Sequence, residues 1–281
     1  MKLLTGLLNN QPKHYMKELL VRTISGLIYM TLVLFAMYSS SQYYLILTGV
    51  LGLLTLFEFQ RLIQIKSIVP YLLFCIFFYL VHTPQAPFWA TPLIGLLGVF
   101  MNLYLILSLF DYASHQRLER KYIPMVFYIM IGILCMGLIP FHNGIFDAHL
   151  IAGVFVLIWV NDSMAYLVGV NFGRRKLLER VSPKKTIEGT LGGLVGSLIC
   201  GAILAQYILH QSLVLWLILA GVIACFGTIG DLIQSKFKRK AQVKDSGRLL
   251  PGHGGIYDRL DSIIFVSPFV YTILQITYYV S

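Results

Sequence analysis

"LVLWLILAGVIACFGTI", Leu213 to Ile229, is an unbroken apolar run without a single charged residue. A strand of a membrane barrel would alternate polar and apolar positions over about ten residues, whereas a helix satisfies its own backbone in lipid and can be apolar throughout. Eight further runs read the same way: Thr23 to Ser40, Tyr43 to Phe59, Ser67 to Val81, Pro92 to Phe110, Pro124 to Pro140, Ala148 to Gly169, Ile187 to Leu209 and Ser262 to Val280. Each is long enough, or nearly so, to cross a hydrocarbon core that needs roughly 20 helical residues. The third is short and carries Pro70 near its start. The composition agrees, at 57% hydrophobic and only 12% charged residues, against about a quarter charged in ordinary globular domains. The expected fold class is all-α: a polytopic integral membrane protein of about nine transmembrane helices.

The basic residues orient these spans. All 22 lysines and arginines fall before the first span or in the connections after the second, fourth, sixth and eighth, and none falls on the opposite face. The positive-inside rule then puts the N-terminus and every long loop in the cytoplasm and the C-terminus outside. The net charge of +10 follows from that topology and from attraction to anionic lipid, so no nucleic-acid partner is expected. Residues 1–22, with Lys2, Lys13, Lys17 and Arg22, read as a retained basic interfacial segment. Cys75, Cys135, Cys200 and Cys225 all lie in apolar runs, without a CxxC pair or a neighbouring histidine, and read as packing residues.

The chain reads as one membrane domain with its chemistry in the C-terminal part. Spans 23–147 have bland connections. From residue 148 to 281, polar groups enter the spans and two long basic loops appear. Asn161 and Asp162 sit inside the sixth run, where a buried carboxylate costs about 2.5–3.5 kcal/mol unless it meets a cation, a partner or a wet cavity. "SPKKTIEG", Ser182 to Gly189, reads as a phosphate-facing turn into the seventh helix, with Lys184 and Lys185 as cations and Thr186 as a cap. Gly189, Gly192, Gly193 and Gly196 make a small-residue face suited to close helix packing. Asp231 and Ser235 lie one helical turn apart at the edge of the eighth span, and the lysines and arginine from Lys236 to Lys240 read largely as a snorkelling collar. In "KDSG" and "PGHGGIYDRLDS", glycines 252, 254 and 255 let backbone N–H groups approach a ligand around His253. Asp258 and Asp261 share a face of the ninth helix. Two carboxylates there beside Asp231 make an oxygen-rich site suited to Mg²⁺, which takes one or two carboxylates and completes its shell with water and phosphate oxygens. The combination suits transfer of a phosphate-bearing group at a membrane surface, by positioning and charge neutralisation.

The run from Ser235 to Asp261, "SKFKRKAQVKDSGRLLPGHGGIYDRLD", resembles the signature of bacterial phosphatidate cytidylyltransferases, also called CDP-diacylglycerol synthases: a serine, a basic pair, KDxG, then PGHGG and DRxD. "SPKKTIEG" and "NDSMAYLVGVNFGRRK", from Asn161 to Lys176, fit the same family in the same order. The motifs cover about the C-terminal 125 residues.

This resemblance implies the reaction CTP + phosphatidate → CDP-diacylglycerol + pyrophosphate, dependent on Mg²⁺, which family members are thought to pair with K⁺. It would take place in the bacterial cytoplasmic (inner) membrane with the site facing the cytoplasm, and a homodimer would be unsurprising. Carried over residue by residue, Asp231 and Asp258 would form the metal centre, with Asp162 and Ser182 near that shell and Asp261 either binding metal or orienting the basic residues. Lys184, Lys185, Lys244 and Arg259 would hold the triphosphate or the lipid phosphate. His253, Gly254 and Gly255 would shape the pocket, Ser235 and Lys236 would face substrate, and Asp245 would bind metal or orient the basic residues. CTP-dependent polyprenol and phytol kinases share this architecture and are the nearest alternative. A secondary transporter of anions would explain Asp162 and the glycine-interrupted helices, but not polar groups gathered at one membrane face.

Overall fold

In the computed structural model, residues 24–83, 87, 89–110, 124–142, 144–249, 252 and 254–280 are described. The basic segment 1–22, the residues Arg117, Arg120 and Lys121, and His253 lie outside the described residues.

Among the described residues the chain forms nine helical segments. They are α1 (Ile24–Ser39), α2 (Ser41–Leu62), α3 (Val69–His82), α4 (Ala90–Phe110), α5 (Pro124–Leu138), α6 (Ala148–Phe172), α7 (Ile187–Leu209), α8 (Leu213–Lys240) and α9 (Tyr257–Val280). Two short antiparallel hairpins interrupt them: β1 (Phe141–His142) with β2 (Ile145–Phe146), and β3 (Lys176–Leu178) with β4 (Ser182–Thr186). The segments α2, α4, α6, α7, α8 and α9 are long and apolar enough to cross a membrane, while α1, α3 and α5 are shorter. Large apolar side chains such as Phe35, Tyr79, Phe100, Leu107 and Tyr166 face outward from the bundle. An outward apolar belt of this extent suits a lipid solvent. The chain is a multi-pass membrane protein.

The helices begin where the sequence supplies caps. Ser40 accepts from the Tyr43 N–H (3.3 Å), Asp147 from His149 and Leu150 (2.9 and 3.1 Å), Thr186 from Gly189 (3.1 Å) and Ser212 from Leu215 (3.4 Å). Pro70 falls in the first turn of α3, where its missing N–H has no intrahelical partner to lose. The short third run is therefore a short helix and not a broken one.

The central helix is α9, whose residues Ile263 to Ser267 are almost completely buried. It packs chiefly on α8, α5 and α4. Pro268 lies inside it and removes one backbone bond, a cost that membrane helices meet by borrowing donors from neighbours. The carbonyl left without its i+4 donor is that of Ile264, which faces Gly132, and Asn102 of α4 donates to the next carbonyl, Phe265, at 2.7 Å. Gly98 and Gly132 leave room for α4 and α5 to approach: a Cβ at either would run into Pro268 or the Ile264 carbonyl. Among the described residues the pairing of α6 with α7 is the most extensive, and it rests on the glycine face. A Cβ on Gly189 would stand 2.7 Å from the Ala165 carbonyl oxygen, and one on Gly193 would stand 2.6 Å from Asn161 Oδ1. The expectation of close packing at these glycines holds.

Candidate active site

At 28 residues, α8 is about 42 Å long. It outruns a hydrocarbon core of about 30 Å, so the helix continues past Ile229 and carries Asp231, Ser235 and Lys238 on one face. That face meets α9 closely because Gly230 leaves space: a Cβ there would stand 2.6 Å from the Phe265 side chain and 3.1 Å from the Asp261 carbonyl.

Two acid–lysine pairs lie on this face. In the first, Lys185 reaches from β4 to Asp231, Nζ to Oδ2 at 2.7 Å, and also donates to the Thr228 carbonyl at 3.3 Å. Ser235 Oγ donates to the other Asp231 oxygen at 3.3 Å. The "SPKKTIEG" stretch is thus a strand of a hairpin before it becomes a helix, and the hairpin is fastened to α7 by Glu188, whose carboxylate accepts from the Arg174 and Arg175 N–H groups at 3.0–3.2 Å. Burial along β4 does not alternate: Pro183 and Lys184 are exposed, whereas Lys185 and Thr186 are turned in, Lys185 toward Asp231.

The second pair is a clasp. Asp258, in the first turn of α9, accepts from Lys238 Nζ (2.8 Å) and Gln234 Nε2 (3.3 Å) on Oδ1, and from the Ser246 N–H (2.8 Å), the Ser246 hydroxyl (2.9 Å) and the Gly255 N–H (2.9 Å) on Oδ2. One residue therefore ties together α8, the KDSG loop, the glycine turn and α9. The Lys238 and Asp258 side chains are only 12% and 7% exposed.

A second carboxylate completes the clasp from the N-terminal half of the chain. Glu58 of α2 is 2% exposed. It accepts from the N–H groups of Ile256 (3.0 Å) and Tyr257 (2.9 Å), and the Ser246 hydroxyl lies 2.9 Å from it. The single Ser246 proton is therefore shared between Glu58 and Asp258. Glu58 occupies the positive N-terminal end of α9, where an anion is favoured. Gly247 and Gly255 lie directly on its carboxylate, and a Cβ on either would collide with it. Gly247 of KDSG and the last glycine of PGHGG, Gly255, are required by this buried side chain. The N–H of Gly255, expected to face a ligand, is directed at Asp258.

Around the first pair lie the other candidates. Asp162 on α6 is exposed and acts electrostatically on Lys185, Asp231 and Arg259, and Asp261 acts on Asp231, Asp162 and Lys238. Asn161 is buried beside Asp162, its Nδ2 donating to that carboxylate at 3.4 Å, and its Oδ1 has no partner among the described residues. No three histidine, cysteine, aspartate or glutamate side chains among the described residues converge as a metal cage. Asp231 and Asp258 instead each hold a lysine ammonium. Each is a hard oxygen donor of the kind Mg²⁺ takes one or two of, and the lysine stands where that cation would bind, so the residues fit the metal once the lysine is displaced.

Other predicted residues are placed apart. Ser182 is half-buried and pairs with Leu178 in the hairpin. Gly254, at φ +86°, sits against Asp258 Oδ2. Lys244 and Asp245 are exposed on the loop. Lys236 is buried and donates to the Ser108 carbonyl (2.5 Å) at the end of α4. The collar reading is corrected for Lys236 and Lys238, which are drawn inside by Ser108 and Asp258, while Arg239 and Lys240 stay exposed. Glu58, Gln234, Lys238 and Ser246 were not singled out as site residues from the sequence. The penalty that marked Asp162 would also have marked Glu58, which stands inside the apolar run Tyr43 to Phe59.

The model of the Cytidylyltransferase family matches residues 20–277. A phosphatidate cytidylyltransferase of Staphylococcus epidermidis is 31% identical over 258 residues, covering 90% of this chain and 98% of its own length. Those of Staphylococcus aureus (32% over 259 residues) and Staphylococcus haemolyticus (33% over 260) are similar with the same coverage.

Proposed function

The chain belongs to the cytidylyltransferase family and is a nucleotidyltransferase, and from that premise we propose that its reaction is CTP + phosphatidate → CDP-diacylglycerol + pyrophosphate. The observation that carries this assignment to the residues is the clasp at Asp258, which draws KDSG, the glycine turn and DRLD onto one face of α8 beside the Lys185–Asp231 pair.

In this reading a phosphate oxygen of phosphatidate attacks the α-phosphorus of CTP. The new P–O bond forms as the bond to the bridging oxygen of the β-phosphate breaks, and pyrophosphate departs with that electron pair. Asp231 and Asp258 would hold Mg²⁺, with Asp162 and Asp261 in electrostatic reach for a companion such as K⁺. Mg²⁺, when bound, offsets the charge that builds on the phosphate oxygens. Lys185 and Lys238, released from their carboxylates, turn to phosphate oxygens, and Lys244 and Arg259 add positive charge around them. Gln234 and Ser246 keep Asp258 oriented throughout. No protein nucleophile is needed; the residues position two phosphates against each other and offset charge.

The proposal includes nine spans, with the N-terminus and the site on the cytoplasmic side of the bacterial inner membrane and the C-terminus outside. It is supported by the ends of α2, α4, α6 and α8 and the beginnings of α7 and α9, all of which contribute to the site or touch its elements. Purified protein in detergent with α-labelled CTP, phosphatidate and Mg²⁺ tests the reaction: label is expected in the lipid phase. Label reaching a prenol only from γ-labelled CTP would identify a kinase instead.

A further inference from the structure

Beside the clasp, on its α2 side, is a cavity of about 600 Å³, within the range that small-molecule ligands occupy. One wall is the end of α2 with Arg61 and Gln64, and the other is the loop from Val243 to Arg248. Both walls follow a helix end stopped by a left-handed glutamine, Gln64 at φ 57° and Gln242 at φ 56°. The walls are fixed to each other: Glu58, one turn before Arg61, bonds Ser246 in the opposite wall. Three cations line the space, Arg61, Lys244 and Arg248, against one carboxylate, Asp245. Among the described residues none of these three cations has an ion-pair partner, unlike Lys185 and Lys238.

We propose that this cavity is a polyphosphate seat, binding the β- and γ-phosphates of the nucleotide and then the pyrophosphate that leaves. Guanidinium groups present a planar fork that matches phosphate oxygens, and an arginine in each wall of one cavity suits a chain of phosphates better than a point charge does. Net of Asp245 the lining carries about two positive charges, so charge alone does not choose between phosphates; the choice rests on having Arg61 in one wall and Arg248 in the other across about 600 Å³, which suits two linked phosphates better than a single monoester. Ser246 belongs to this cavity and to the Asp258 clasp, which places the seat next to the reacting groups. Arg61 and Arg248 thereby join the site, the first from the N-terminal half of the chain. The inference rests on the reading that CTP is the substrate.

The test is pyrophosphate binding to the full-length protein in detergent, by calorimetry, for wild type and for Arg61→Gln, Arg248→Gln and Arg61→Lys, with KM for CTP and for phosphatidate measured beside it. Both arginines are exposed, and elution as a single species checks each fold. Each glutamine variant is expected to weaken pyrophosphate binding about tenfold, the loss of one charge-assisted contact. KM for CTP should rise in parallel and KM for phosphatidate should not. Arg61→Lys should recover part of the loss. A change in KM for phosphatidate with pyrophosphate binding intact would make the cavity a lipid-headgroup seat and overturn the proposal. No change in either would reduce the arginines to a membrane-surface collar. Absence of cytidylyl transfer in wild type, with pyrophosphate binding still dependent on Arg61, would sink the reaction and leave the seat standing.

Discussion

Glu58 and Asp258 are two carboxylates that share one serine proton, yet their removal should read differently. Glu58 is enclosed by α2, Gly247 and Gly255 and takes donors that have no water to turn to. Glu58→Ala leaves those donors unpaired and is expected to cost on the order of 3 kcal/mol, seen as a lower melting temperature and as faster tryptic cleavage after Lys244 or Arg248. Glu58→Gln should lose less, since its shape fits. Asp258→Asn is expected to abolish turnover. It also strands the nearly buried Lys238 ammonium, and breaking a buried pair from one side is costly. The double variant Asp258→Asn/Lys238→Met should recover melting temperature but no turnover. Recovery of both would remove Asp258 from the chemistry and leave it only the clasp.

At the scale of the elements, the glycine face of α7 couples packing to the site. Gly193 abuts Asn161, which neighbours Asp162 on α6. Gly193→Ala would push a methyl group into the Asn161 side chain and carbonyl, and overpacking of this kind costs about 1–3 kcal/mol. The expected outcome is a lower melting temperature together with reduced turnover. The lipid-facing Leu191→Ala on the same helix should change neither by more than a small amount. Equal effects from both substitutions would mean that helix stability alone, and not the α6–α7 contact, limits the enzyme. Such a face can be recognised in a sequence because small residues recur at helical spacing. The β3–β4 hairpin could not be, because the five residues of β4 contain a proline and two lysines and owe their extended form to the bonds that Glu188 and Ile187 make back to residues 174 and 175.

Across the whole molecule, orientation is the testable consequence of the one-sided basic residues. In a background without the four native cysteines, Ile145→Cys on the β1–β2 hairpin and Lys184→Cys on β4 should lie on opposite sides of the membrane. Both positions are exposed. A membrane-impermeant thiol reagent applied to spheroplasts is expected to label the first at once and the second only after permeabilisation. The reverse pattern would invert the topology and put the site outside.

The apolar runs determined by themselves that this chain is a bundle of membrane helices, because in lipid a backbone must close its own hydrogen bonds and length and hydropathy then locate the helices. The motif residues likewise showed, without coordinates, where polar chemistry enters an otherwise apolar chain. Only the tertiary structure decided which polar group meets which. Lys236 and Lys238 stand two residues apart in one basic run, yet one is bound to the end of α4 and the other to Asp258, since helical rotation turns them to different neighbours. The partner of the C-terminal glycines is Glu58, about 190 residues earlier in the chain. Sequence spacing carries no trace of such a contact, because it exists only once α2 packs beside α9 and excludes water from the carboxylate between them.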